Sequence, residues 1–363
     1  MTRQFFLTHS PINAMFTKNS SDFVVSEIPL YPFSGEGEHL VLHVRKKDLT
    51  TWDMLQYISE VTGCKVRDFG YAGLKDKDGM TTQYISLHKN FEAKLATFSH
   101  EKIKILDKTY HNNKIRTGHL KGNRFFVRLK KVNPIDARKL QDGLKKIAKE
   151  GFPNFFGYQR FGIDGDNYLK GKAILDGSKK ERNPKMKEFF INAYQSHLFN
   201  HWLSKRIEIS RIVEDFELKD VMRLLELSKE DAQALKKQPQ FFKLFHGDVL
   251  HHYPAGKAFV CENIEEELPR FLERGITIAG WLTGGKNIRA EHKAGEIEQM
   301  MFKESEPFLS KMDGSRRFAW SFVDDVEGNY KEEEAWFEMH FSLPKGSYAT
   351  VIIEELTKQF KDM

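Results

Sequence analysis

The hydrophobic pattern of this chain changes period twice, and that limits its architecture more than any other feature. Near the start, residues 22–28 (Asp-Phe-Val-Val-Ser-Glu-Ile) read as a strand. Leu40, Leu42 and Val44 alternate with His39 and His43 as a second, after a Ser-Gly-Glu-Gly-Glu turn at 34–38. Residues 83–88 and 124–130 continue the theme, with Phe125, Val127 and Leu129 on one face of the latter. From about 155 to 314 the spacing becomes helical, over 187–209, 217–238, 262–274 and 288–303. Strand character returns at 335–343, and an amphipathic helix using Ala349, Ile352, Ile353, Leu356 and Phe360 follows at 347–360. A β-rich beginning, a helical middle and a β-then-α end predict an α/β (α+β) chain. In this reading 1–154 and 315–363 form one mixed α/β domain, and 155–314 form a second, inserted and mostly helical α/β domain. A length of 363 residues suits two domains at roughly 100–200 residues each.

Two helices among the early strands have explicit end signals. Thr50 followed by Asp53 is a capping-box pattern, Trp52, Leu55, Ile58 and Val61 are its expected apolar face, and Gly63 can end it. Asn133-Pro134 opens the other, whose inner stripe is Leu140, Leu144 and Ile147 before Gly151.

Charge is unevenly spread. Residues 101–150 hold 15 Lys and Arg against 5 Asp and Glu, whereas 201–300 hold 15 against 17. Concentrated positive charge is the footprint of a phosphate-backbone surface, although a solvated Lys-rich helix face has the same composition. Lys121, Arg124, Arg128, Lys130 and Lys131 are the candidate phosphate contacts. The two cysteines, Cys64 and Cys261, lie far apart, which argues against a disulfide framework or a cysteine zinc site and suits a reducing cytoplasm. No apolar run approaches the ~18 residues of a membrane span. Neither H-E-x-x-H, nor a P-loop, nor a G-x-S-x-G elbow occurs, so no metal or cofactor is expected.

Four segments could carry chemistry. Tyr71-Ala72-Gly73-Leu74-Lys75-Asp76-Lys77-Asp78-Gly79 puts a carboxylate between lysines on a loop that leads into a strand. Neighbouring cations favour the charged form of a carboxylate, as a nucleophile or base requires, yet a generic charged turn looks the same. Pro153-Asn154-Phe155-Phe156-Gly157-Tyr158-Gln159-Arg160-Phe161-Gly162 mixes rings, amides and Arg160, groups that can stack on bases and meet phosphates. Leu120-Lys121-Gly122-Asn123-Arg124-Phe125 leads into a strand, and by periodicity alone Phe125 is core. Leu343-Pro344-Lys345-Gly346-Ser347-Tyr348 joins a strand to the last helix, which Ser347 can cap.

Taken in order, these segments resemble the D family of tRNA pseudouridine synthases. Asp22-Phe23-Val24-Val25, Ser34-Gly35-Glu36-Gly37-Glu38-His39 and Leu198-Phe199-Asn200 also match, so the resemblance spans nearly the whole chain. It implies a pseudouridine-synthase catalytic domain with a central mixed β-sheet, interrupted by a family-specific insertion, a tRNA substrate modified at its uridine at position thirteen, and no cofactor. It also implies Asp76 as the catalytic aspartate, Phe125 as a ring against the target uracil, Asn123 beside the active site, and Phe23 and Tyr348 as aromatics near the aspartate. A cytoplasmic monomer without an obligate protein partner is the expectation. Two departures matter. Asp78 stands where many bacterial relatives have His, and Tyr194-Gln195-Ser196-His197 varies among relatives, so His197 receives no role. The competing readings are a non-catalytic RNA-binding protein on a synthase scaffold, and an RNA hydrolase using Asp76 and Asp78 as a pair.

Overall fold

The computed structural model describes residues 3–285 and 287–359. The chain forms two compact units, one made of Asn13–Lys145 and Val323–Gly346, the other of Met1–Ile12, Lys146–Phe322 and Ser347–Met363. Their limits differ from the domains expected from periodicity. The first dozen residues and the last helix group with the middle of the chain, because packing follows contacts that hydrophobic period does not encode.

The first unit is built on one large mixed sheet. Its strands run in the order Asp324–Lys331, Trp336–Pro344, Leu120–Lys130, Phe23–Pro29, Met80–His88, His39–Lys47 and Ile103–His111. All neighbours are antiparallel except Phe23–Pro29 with Met80–His88, and that parallel pair lies at the centre of the order. The short strand Gly70–Tyr71 adds to Met80–His88. The expected strands are present, with Ile103–His111 and Asp324–Lys331 as edges that the sequence reading passed over.

The helix Thr51–Thr62 carries the full capping box of Thr50 and Asp53, and its chain leaves through Gly63 in the left-handed region at φ 73°. Its buried face keeps the expected Leu55 and Ile58 but is completed by Thr51, Met54 and Thr62, while Trp52 and Val61 are exposed. Met54, Leu55 and Ile58 pack on Leu40, Leu42, Val44 and Leu87 of the sheet. Phe125, Val127 and Leu129 are buried, as their alternation requires, as are Leu140, Leu144 and Ile147 of the helix Pro134–Glu150.

In the second unit the expected helices appear with altered limits: Pro184–Asp215, Leu218–Leu225, Lys229–Lys237, Ile264–Leu272 and His292–Phe302. The run read as one helix over 217–238 is two, because Glu226 adopts φ 52° and Ser228 caps a new start by accepting from the Asp231 N–H. Helical spacing did not reveal a four-stranded sheet, ordered Ser315–Phe318, Ile276–Leu282, Val249–His252 and Ala258–Val260. The final helix is Ala349–Thr357, and Phe360 lies outside the described residues. Tyr348, not Ser347, occupies its N-cap without a side-chain cap bond. The Ser347 hydroxyl instead lies 3.3 Å from that of Ser321. Among the described residues no helix is long and apolar enough to cross a membrane.

Candidate active site

Asp76 sits on the loop between Gly70–Tyr71 and Met80–His88, and that loop is tied down at both ends. Gly79 closes it at φ 99°, where an added Cβ would lie 2.8 Å from the Phe23 carbonyl oxygen, so only glycine fits the approach to the neighbouring strand. The Lys75 N–H donates to Thr51 Oγ1 at 2.9 Å, and that hydroxyl donates to the buried Gln83 Oε1 at 3.0 Å. The Lys46 ammonium donates to the carbonyl of Asp76 itself at 2.7 Å and to that of Leu49 at 2.6 Å. The backbone is thus fixed from below while the Asp76 side chain remains 64% exposed, open to a ligand.

The cation that meets the Asp76 carboxylate is not one of its sequence neighbours. Lys18 reaches it, with Nζ 3.1 Å from Oδ2, and the same ammonium lies 5.5 Å from the centre of the Phe23 ring. Phe23 stands 6.1 Å from Phe125, which stacks on Phe341 at 5.6 Å. Lys75, expected to flank the carboxylate, turns inward. Its ammonium lies 3.2 Å from Glu27 Oε2 and donates to Asn123 Oδ1 at 2.7 Å. The first unit therefore brings together Asp76, Phe23, Asn123 and Phe125, and adds Lys18, Glu27 and Lys46.

The sequence held a signal for two of these three. Lys46 continues the inward register of Leu40, Leu42 and Val44, and Glu27 lies in register with Phe23 and Val25, so each places a charge at a core-facing position. Lys18 has no periodic context, and nothing in the sequence marks it. Burial pushes Glu27 above the ordinary carboxylate value, against the opposing charge of Lys75. Burial pushes Lys46 down to about 8, against the opposing charge of Asp76.

Lys46 gives a signed prediction. Its ordinary value is 10.5, so between about pH 8 and 10.5 the unfolded chain holds more protons on this group than the folded chain. Its contribution therefore makes stability rise with pH across that window. Lys46→Met should flatten the rise, read as the difference in urea midpoint between the two proteins at about pH 7.5 and about pH 9.5. Parallel pH slopes in both proteins would contradict the assignment.

The expected phosphate contacts divide into two groups. Lys121 and Arg124 are exposed, Arg124 beside an equally exposed Asp325. Arg128 and Lys130 are engaged internally. Asp22 is fully buried, with Arg128 Nη1 at 3.3 Å and Lys130 Nζ at 2.5 Å. Burial alone would raise the Asp22 carboxyl, but Lys130, Asn19 and Arg128 together hold it below its ordinary value. Arg128 also pairs with Glu338 at 2.7 Å and lies 4.4 Å over Trp336.

Tyr348 and Arg160 belong to the second unit, in a cluster around the Asn154–Gly157 segment. Asn200 clamps Phe156 through both backbone groups, accepting from its N–H at 2.9 Å and donating to its carbonyl at 3.0 Å. Arg317, which the sequence reading missed, donates to the carbonyls of Asn154 and Phe155 and lies 3.9 Å from the Phe156 ring centre. Burial pushes its guanidinium down to about 10, which leaves it charged at neutral pH. Tyr348 lies 6.2 Å from Phe156 and 5.8 Å from the Arg317 guanidinium, and Arg160 lies 5.3 Å over Phe156.

A large mixed sheet presents an open aspartate beside a lysine and aromatic rings, in a chain of two compact units. The fold is that of a protein from Methanosarcina mazei named for tRNA pseudouridine synthase D (TruD), with a TM-score of 0.72 at 22% identity, covering 98% of this chain and 96% of that one. The family model for tRNA pseudouridine synthase D (TruD) matches residues 2–182 and 180–356, and the chain belongs to that family. Among curated relatives, tRNA pseudouridine synthase D of a Nitratiruptor species is 54% identical over 356 residues, 98% of each chain. The protein of that name from Campylobacter jejuni subsp. jejuni is 56% identical over 351 residues, 96% of this chain and 94% of the relative.

Proposed function

We propose that this enzyme isomerises the uridine at position thirteen of tRNA to pseudouridine, with Asp76 as the reacting group. The observation that carries the reading is the exposed Asp76 carboxylate, held on a rigid loop with Lys18 at 3.1 Å. In the reaction the N1–C1′ bond breaks, the uracil ring turns and C5 bonds to C1′. C5 gives up its proton and N1 gains one, so no redox partner takes part. One carboxylate oxygen serves each available route: attack at C1′, attack at C6, or removal of the C2′ proton.

The target base must leave its stack, and an aromatic wall offsets the lost stacking. Phe125 supplies that wall, Phe23 backs it, and Asn123 offers polar contact to the base. In the second unit Tyr348 and Arg160 offer a ring and a guanidinium to RNA. Lys121 and Arg124 hold phosphates, so tRNA affinity falls steeply with salt. Phe125→Ala should lower the single-turnover rate by about tenfold or more while changing tRNA affinity by less than about threefold, because a contact of ~1–3 kcal/mol made only with the flipped base stabilises the reacting state and not the docked tRNA. A rate constant equal to wild type would remove Phe125 from the site.

The direct test is incubation of the purified protein with unmodified tRNA, followed by carbodiimide-based mapping of pseudouridine. Modification at position thirteen supports the full proposal, and modification elsewhere corrects the target. Binding without any modification would favour a non-catalytic RNA-binding protein.

A further inference from the structure

Glu27 and Asn123 are directly paired across two strands of the sheet, and Lys75 closes over both. The ammonium side chain is 8% exposed and the Glu27 side chain 1%, so this is a buried group of three. A lysine ammonium has donors only. Whatever lies at hydrogen-bond distance from it must accept, which fixes the Asn123 amide: Oδ1 faces Lys75, and Nδ2 is turned away. That nitrogen makes no hydrogen bond among the described residues, and Asn123 is only half-buried. The residue after Lys75 is Asp76.

We propose that Lys75, anchored by Glu27, is a positioning residue that locks Asn123 as a hydrogen-bond donor to a carbonyl oxygen of the target uracil. The inference rests on the isomerase reading above. Uracil is nearly symmetric about its N3–C6 axis, so O2 and O4 exchange places when the ring turns. One fixed donor therefore serves the base before and after rotation. In one of those two orientations cytosine would set its amino group against the donor, so the lock also selects uridine. A free asparagine could flip and present its oxygen, and the selection would be lost. Glu27 holds the lysine in place: without it, the ammonium would be buried with carbonyl acceptors alone.

The test uses tRNA with uridine, 2-thiouridine or 4-thiouridine at the modified position, because sulfur accepts an N–H poorly. Wild type should convert at least one thio substrate about tenfold more slowly than uridine in single turnover, in proportion to one lost hydrogen bond. In Glu27→Gln/Lys75→Met, which removes the buried pair without orphaning either charge, the thio effect should shrink below about threefold. A purely structural role for Lys75 would slow all three substrates by the same factor. An equal thio effect in both enzymes, or none in wild type, would overturn the inference. Failure of wild type to convert uridine would instead sink the isomerase reading. Should the double variant lose its cooperative thermal transition, Lys75→Gln with Glu27 intact gives the same readout, since glutamine can donate or accept and leaves the amide free to turn.

Discussion

Asp76→Asn should abolish pseudouridine formation, by more than about a thousandfold in the single-turnover rate, while tRNA affinity stays within several-fold of wild type. The substitution changes one oxygen to an amide nitrogen and little else. Lys18 can still donate to the remaining oxygen, and the Lys46 contact is to the backbone carbonyl, which the change does not touch. The loop should therefore keep its shape, and the lost rate should report chemistry. Asp78→Asn is the matched control. Asp78 is exposed and makes no hydrogen bond or ion pair among the described residues, so its variant should run close to wild type. Rate assays with filter binding at fixed salt would decide the matter. Full activity in Asp76→Asn, or an inactive Asp78→Asn, would reassign the reacting carboxylate.

The second large effect concerns stability. Asp248→Ala should cost about 3–5 kcal/mol, because it strands the Arg206 guanidinium in the second unit. Arg206 is 1% exposed and Asp248 2%. They meet through two hydrogen bonds, at 2.5 and 2.9 Å, and the guanidinium is otherwise ringed by Trp202, Phe242 and Phe245. Asp248 Oδ2 also accepts from the Phe245 N–H at 2.8 Å, so the variant leaves a backbone donor unmet as well. The Lys243 carbonyl, which accepts from Arg206 Nη2 at 2.9 Å, and the aromatic faces do not compensate the buried charge. Urea denaturation would read the loss directly, and a change below about 1 kcal/mol would show that water or a rearranged side chain replaces the carboxylate.

Legibility in the sequence followed the geometry of each element. Alternation exposes a strand only when one face is wet. The strands around Leu42 and Val127 were readable for that reason, whereas Ile276–Leu282 is buried at nearly every position and offered no period of two. Caps are legible at Thr50 and Asn133, which precede isolated helical patterns, and not at Ser228, which splits an otherwise continuous helical run. On the helix Thr51–Thr62 spacing identifies Leu55 and Ile58 but not Met54, because Trp52 is large and apolar yet lies outward.

The sequence by itself determined the family, the strands of alternating period, the capped helix Thr51–Thr62 and the charged loop around Asp76. These depend on local order: residue type, spacing and the small residues that let the backbone turn. Only the tertiary structure decided which charges meet. Lys18 reaches Asp76 from 58 residues away, Lys75 turns from its neighbour to Glu27 and Asn123, and Arg128 and Lys130 close on the buried Asp22. Ion pairing depends on distance and burial, and neither is a function of separation along the chain.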